Sequence, residues 1–195
     1  MTIRPYARRD RTAVQDICVE TSFLKEDTPT GRAMLTALYS DYYTDMTDNT
    51  FVATQDGQVV GYILAADDFK HFRDSMKKLY LPLVKRINFK QYVSQLYVLK
   101  LFGKIQQKGV AHMHIDITES CQRMGVGRQL LHALASHLLD KGLHTVVLLC
   151  ASDNVKGCNF YRKYGFIEQS RHFGCTLFSA TLSNLLAKTS QNVVQ

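Results

Sequence analysis

The stretch from Val110 to Leu139 constrains the fold of this chain more than any other. It reads as a strand, Val110-Ala111-His112-Met113-His114-Ile115-Asp116-Ile117, then a polar turn, then Gln122-Arg123-Met124-Gly125-Val126-Gly127 opening a helix. In that helix Val126, Leu130, Leu134 and Leu138 fall on one stripe with Leu131 beside it, so the helix can pack back on the strand that feeds it. Two glycines one residue apart let backbone N–H groups approach an anion, and the helix start adds unpaired donors and the positive end of its dipole. Arg123 and Arg128 add full charges. The segment therefore predicts a site for a phosphorylated ligand.

Two competing Gly-rich turns are excluded by their neighbours. A P-loop needs Gly-Lys-Ser/Thr at its end, and Arg128-Gln129 follows Gly127 here. A Rossmann turn needs a third glycine where this chain has Leu130. What fits is Q-x-x-G-x-G, and in this the chain resembles the GNAT superfamily of acetyl-CoA-dependent N-acetyltransferases. A second signature lies one strand and one helix further on. Leu143 to Cys150 reads as a buried strand, Ser152-Asp153-Asn154 caps a helix running to about Tyr164, and Gly165 can end it in the left-handed conformation. That helix carries Asn154, Phe160, Tyr161, Tyr164, Gly165 and Phe166, similar to the superfamily's N-x-x-A-x-x-F-Y-x-x-x-G-F with Gly157 in place of the alanine. The two motifs cover residues 110–167, and Thr2 to Thr21 resembles the family's first strand and helix.

The resemblance implies a single-domain α/β fold: a mixed, mostly antiparallel central sheet flanked by helices, spanning 1–182. Asp56-Gly57 between two apolar runs predicts a hairpin, and residues 69–109 predict a helical insertion of two or three helices between the third and fourth strands. A second helix is expected from about Gly31 to Tyr43, a terminal hairpin around Phe173-Gly174, and residues 183–195 are expected to fray.

The resemblance also implies a reaction, in which acetyl passes from acetyl-CoA directly to a primary amine without an acyl-enzyme. Cofactor contacts then fall on Ile115 and Ile117 along the pantetheine, on Gln122, Arg123, Met124, Gly125, Val126, Gly127 and Arg128 around the pyrophosphate, and on Asn154 and Tyr161. The Ile117 amide would be the oxyanion donor, and the Tyr161 phenol the acid for the departing thiolate. Asn154 is explained equally well as a helix cap, and Tyr161 could simply pack. His112, His114 and Asp116 alternate along one face of their strand, so His114 or Asp116 is a candidate general base, with His112 beside them. A single strand offers no second ligand cluster, so no metal is expected.

Charge is unevenly spread. The net +7 divides into −5 over residues 1–68, +9 over 69–108, where ten basic residues face one acidic, and +3 over 109–195. The basic insertion is expected to form a wall or lid beside the acceptor, its apolar residues buried against the rest of the domain, a partner subunit or a lipid surface and its lysines favouring an acidic amine. Two rival readings are a catalytically silent acyl-CoA-binding module and a basic protein that binds nucleic acid or a membrane surface. Neither nucleic acid nor membrane is the expected partner, and a homodimer is left open. Five cysteines without a C-x-x-C pair, and no apolar run of bilayer length, point to a cytoplasmic protein with reduced thiols.

Overall fold

The computed structural model describes residues 1–22, 24, 28–105, 109–172 and 174–190. The chain runs β1 (Thr2–Pro5), α1 (Arg11–Thr21), α2 (Pro29–Tyr39), α3 (Asp41–Met46), β2 (Thr50–Gln55) and β3 (Gln58–Ala66). The insertion follows as α4 (Phe69–Ser75), α5 (Leu81–Ile87) and α6 (Phe89–Ile105), with a single π-helical turn, Met76–Tyr80, between the first two. Then come β4 (Val110–Ile117), α7 (Val126–Asp140), β5 (Thr145–Ala151), α8 (Val155–Lys163), β6 (Ile167–His172), β7 (Cys175–Thr181) and α9 (Leu182–Ser190). The strands form one sheet in the order β1-β2-β3-β4-β5-β7-β6. Only β4 and β5 pair in parallel, joined by the α7 crossover. The expected single-domain, mostly antiparallel α/β sheet with a helical insertion between β3 and β4 is the observed one.

Local chemistry accounts for several turns and caps. In the β2–β3 hairpin Asp56 (φ 51°) and Gly57 (φ 81°) both take positive φ, as a tight turn matching strand twist requires. Thr28 accepts from the Gly31 amide and Pro29 takes the first helical position, starting α2. The helix expected through Tyr43 breaks at Ser40 (φ −131°), and α3 then carries Tyr42 and Tyr43 into the core.

Strand alternation sorts the core into two layers. On one face Ala53, Ile63, Met113, Val146, Leu148 and Phe178 pack under α7 and α9. On the other Val52, Tyr62 and Leu64 meet α1, α2, α3 and the insertion. The C-terminal segment corrects an expectation: residues 183–190 do not fray but continue α9. Leu182 and Leu185 are wholly buried against α7, and Arg128 and His132 hydrogen-bond Thr189 at 2.8 and 3.0 Å. The absence of aromatics hid a short amphipathic stripe. Residues 191–195, and Phe173 of the terminal hairpin, lie outside the described residues.

Candidate active site

The site begins where two neighbouring strands part company. The β4–β5 ladder runs only from Val110↔Thr145 to His112↔Val147, although β4 continues to Ile117 and β5 to Ala151. On its other side β4 stays paired to β3 along its whole outer half, from His112↔Ala66 to Ile117↔Gly61. Ladder parity then fixes where the outer peptide groups point. The Ala65 amide donates to Asn49 O on the β2 side, and the Thr118 amide donates to Val60 O, so His114 and Asp116 turn their backbone groups to β3. Ile115 and Ile117 turn theirs to the cleft that β5 has left. In agreement, Ile117 O accepts from Gln122 Nε2 at 3.2 Å.

A cavity of about 770 Å³ occupies this cleft. One end is the turn into α7. The chain is left-handed at Arg123 (φ 64°) and at Gly125 (φ 80°), which stands at the N-cap of α7 with no side-chain cap. The first helical amide bond is Gln129 N to Gly125 O, at 3.2 Å, so the preceding amides remain for an anion. The two glycines serve different ends. A Cβ on Gly125 would meet nothing within 4 Å, and what the position needs is its positive φ. A Cβ on Gly127 would lie 2.8 Å from the Phe160 ring and 3.2 Å from Ile117 Cδ1, so this glycine lets α7 close against α8 and the end of β4. Arg123 and Arg128 of this turn line the cleft, as do Lys156 and Lys163 of α8, four cations against the single carboxylate of Glu119 just before the turn.

Between the ends stands α8. Asn154 Oδ1 accepts from the Gly157 amide at 2.9 Å, capping the helix while the side chain lines the cleft. A Cβ at position 157 would lie 2.7 Å from Asn154 Nδ2, so glycine in place of alanine gives the cap room. Tyr161 lines the cleft, its ring held by Phe160, Phe166 and Phe178. Among the described residues its hydroxyl has no hydrogen-bond partner. Burial first, and then Cys150, Asp116 and Cys158, hold its pKa well above 10, so the phenol keeps its proton at neutral pH.

Away from that turn the cleft is lined by the carboxylates of Glu20 and Asp116 and by Thr21. Tyr62 donates to Asp116 Oδ2 at 2.6 Å. Burial pushes the Asp116 carboxyl up to about 6, opposed by the hydroxyls of Tyr62 and Thr21. The three alternating residues of β4 thus meet different fates. His112 is fully buried, hydrogen-bonded through Nε2 to the Tyr43 hydroxyl at 2.9 Å and stacked on Phe102, with burial holding its pKa well below 6.5. His114 packs edge-on against Tyr39 and Tyr43, its pKa lowered to about 4 by burial, and does not line the cleft. Asp116 does.

Of the residues predicted for the cofactor, Ile115, Ile117, Gln122, Arg123, Gly125, Gly127, Arg128, Asn154 and Tyr161 all line the cleft. Two side chains do not: Met124 is exposed and Val126 is buried beneath the turn, so each can offer only its backbone. Arg128 is also committed elsewhere, through Nη1 to Thr189 O at the end of α9. Sequence reasoning missed Glu20, Thr21, Glu119, Lys156, Phe160 and Lys163 as lining residues. The lysines and Phe160 lie inside the second motif and could have been found from helical spacing; Glu20 and Thr21 come from the far end of α1 with no local signal. No described side chain of the insertion lines this cleft, against the expectation of a lid: its helices pack instead on α2 and over the inner ends of β4, β5 and β7. Among the described residues no group of three or more His, Cys, Asp or Glu could hold a metal ion.

Known proteins share this fold. The protein is similar to SsHAT, with a TM-score of 0.80 and 27% identity over 93% of this chain and 98% of that one. Its fold also matches yncA from Salmonella typhimurium, a structure described with acetyl-CoA, at a TM-score of 0.58 and 18% identity over 93% of both chains. A mycothiol acetyltransferase of Arthrobacter sp. (strain FB24) is 42% identical over 52 residues, 27% of this chain. The chain spans only 16% of that relative's length. The profile of the Acetyltransferase (GNAT) family matches residues 14–166, and with a fold and cleft of this form the chain belongs to the GNAT acetyltransferase family.

Proposed function

We propose that the protein transfers an acetyl group from acetyl-CoA directly to a primary amine of a small molecule or protein. The observation that carries this reading is the parting of β4 from β5. It turns the Ile115 peptide groups and the Ile117 N–H toward the cleft, with the Ile117 carbonyl held by Gln122, between an uncapped helix start and the Asp116–Tyr62 pair. The residues at each station suit the step required of them. The uncapped amides of α7 with Arg123, Lys156 and Lys163 hold the phosphates, and the Ile115 and Ile117 edge supplies strand-like partners for the pantetheine amides. The attacking amine must lose a proton: Asp116, ionised above about pH 6, accepts it directly or through water. The Ile117 N–H stabilises the tetrahedral oxyanion, and Tyr161 gives its proton to the departing thiolate.

The test is thiol release from acetyl-CoA across a panel of amines, with acetyl-CoA affinity measured by calorimetry. Turnover on an amine with stoichiometric acetylated product supports the reading. Tight acetyl-CoA binding without turnover on any amine, small-molecule or peptide, would replace it with a silent binding module.

A further inference from the structure

The insertion presents an exposed surface rich in large apolar side chains and cations. Of the ten large hydrophobic side chains exposed among the described residues, five belong to it: Leu79, Leu83, Phe89, Val93 and Tyr97, with Phe89 at 62% exposure. On α6, at 100° per residue, Phe89, Val93 and Tyr97 share an arc of about 80° with Lys100 and Lys104. The opposite side of that helix carries the buried Gln95, Leu99 and Phe102. The arc is continuous with the exposed end of α5. Lys85 Nζ stands 5.7 Å from the centre of the Tyr92 ring, and Phe89 and Tyr92 have ring centres 5.9 Å apart. Lys85, Arg86 and Lys90 are all exposed there, and the whole segment 69–108 holds a single acid, Asp74. Between α5 and the start of α2 lies a hollow of about 600 Å³ lined by Pro29, Thr30, Ala33, Leu83, Arg86 and Ile87.

We infer that this face docks on an anionic lipid bilayer, with Leu83, Phe89 and Val93 entering the interface, the lysines and Arg86 meeting lipid phosphates and carboxylates, and Tyr97, whose hydroxyl lies 3.2 Å from His172 Nδ1, at its edge. Interleaved aliphatic, aromatic and cationic side chains with no acid among them are what a helix lying in such an interface needs. The alternatives fit less of the surface. A second copy would set two faces of like charge against each other, and a nucleic-acid duplex would take the cations but leave the apolar side chains in water. Of the three coverings expected for the insertion's apolar residues, the rest of the domain, a partner subunit or a lipid surface, this selects the last for those left exposed. It is independent of the acetyl-transfer reading, since none of these residues lines the cleft.

The full chain should co-sediment with phosphatidylserine–phosphatidylcholine vesicles, less as salt rises, and not with phosphatidylcholine alone. Two variants separate the contributions: Phe89→Ser with Val93→Ser, and Lys85→Gln with Arg86→Gln and Lys90→Gln. Each should weaken partition on the order of a hundredfold while leaving the thermal melting curve in place, because every substituted side chain is exposed. No sedimentation with the anionic vesicles at low salt overturns the inference. So does binding to duplex DNA that outcompetes the vesicles and is untouched by the serine substitutions. Concentration-dependent dimerisation by light scattering that Phe89→Ser abolishes would overturn it in favour of a second copy.

Discussion

The two halves of β4 carry similar residues and do different work. At its inner end the strand is laddered on both sides, and His112 is sealed among Phe72, Phe102 and Tyr43. Four residues on, in the same face and the same alternation, Asp116 lies at a cleft beside open peptide groups. Neither the side-chain type nor the period separates a core imidazole from a candidate base. The difference is the place where β5 stops pairing, and the polar residues on one strand face are divided between stability and chemistry by a neighbour that arrives some thirty residues later.

The largest expected effect tests the outer end. Asp116→Asn removes the proposed proton acceptor but keeps its size and its contact with Tyr62, so turnover should fall about 10²- to 10⁴-fold with little change in acetyl-CoA affinity. The wild-type rate should fall as pH drops through about 6, the value to which burial raises this carboxyl, and the variant should lose that limb. The same shift predicts a stability signature. The folded pKa lies above the unfolded 3.8, so ionised Asp116 costs stability above about pH 6. The cost is relieved between about 6 and 4, by up to about 3 kcal/mol relative to the asparagine variant. A flat difference in unfolding free energy over that range would return Asp116 to the ranks of ordinary surface carboxylates.

Tyr161→Phe keeps the ring among Phe160, Phe166 and Phe178 and removes only the acid. Turnover should fall about a hundredfold at unchanged cofactor affinity; a wild-type rate would make Tyr161 a packing residue.

At the inner end the readout inverts. His112→Ala opens a cavity and strands the Tyr43 hydroxyl, costing about 3 kcal/mol in denaturant unfolding while each folded molecule turns over normally. His112 also responds to acid with the opposite sign. Its folded pKa lies well below 6.5, so the unfolded chain takes the proton first and stability is lost as pH falls below about 6.5. A turnover defect in a folded His112 variant would break the division between the two halves.

The smallest effect separates the two glycines. Gly127→Ala should cost about 1–3 kcal/mol and loosen acetyl-CoA binding, because its methyl presses on Phe160 and Ile117. Gly125→Ala should cost only about 1–2 kcal/mol for an unfavourable positive φ in open space. Equal affinity losses by calorimetry would mean that backbone conformation, not the Phe160 contact, governs both positions.

The sequence alone determined whatever short-range chemistry repeats along the chain. Gln122 to Gly127 spelled a turn into an uncapped helix, Asp56-Gly57 a hairpin, Asn154 a cap, and residues 69–109 a run of helices. Each rests on contacts within a few residues, which a linear pattern records. Tertiary structure decided what the pattern leaves degenerate. It sent His112 to the core and Asp116 to the cleft, brought Glu20 and Thr21 across from α1, drew Leu182 and Leu185 onto α7, and kept the insertion away from the cleft. Those outcomes turn on where strands separate and which helix face finds a partner, and the free energies that settle them come from residues far apart in the chain.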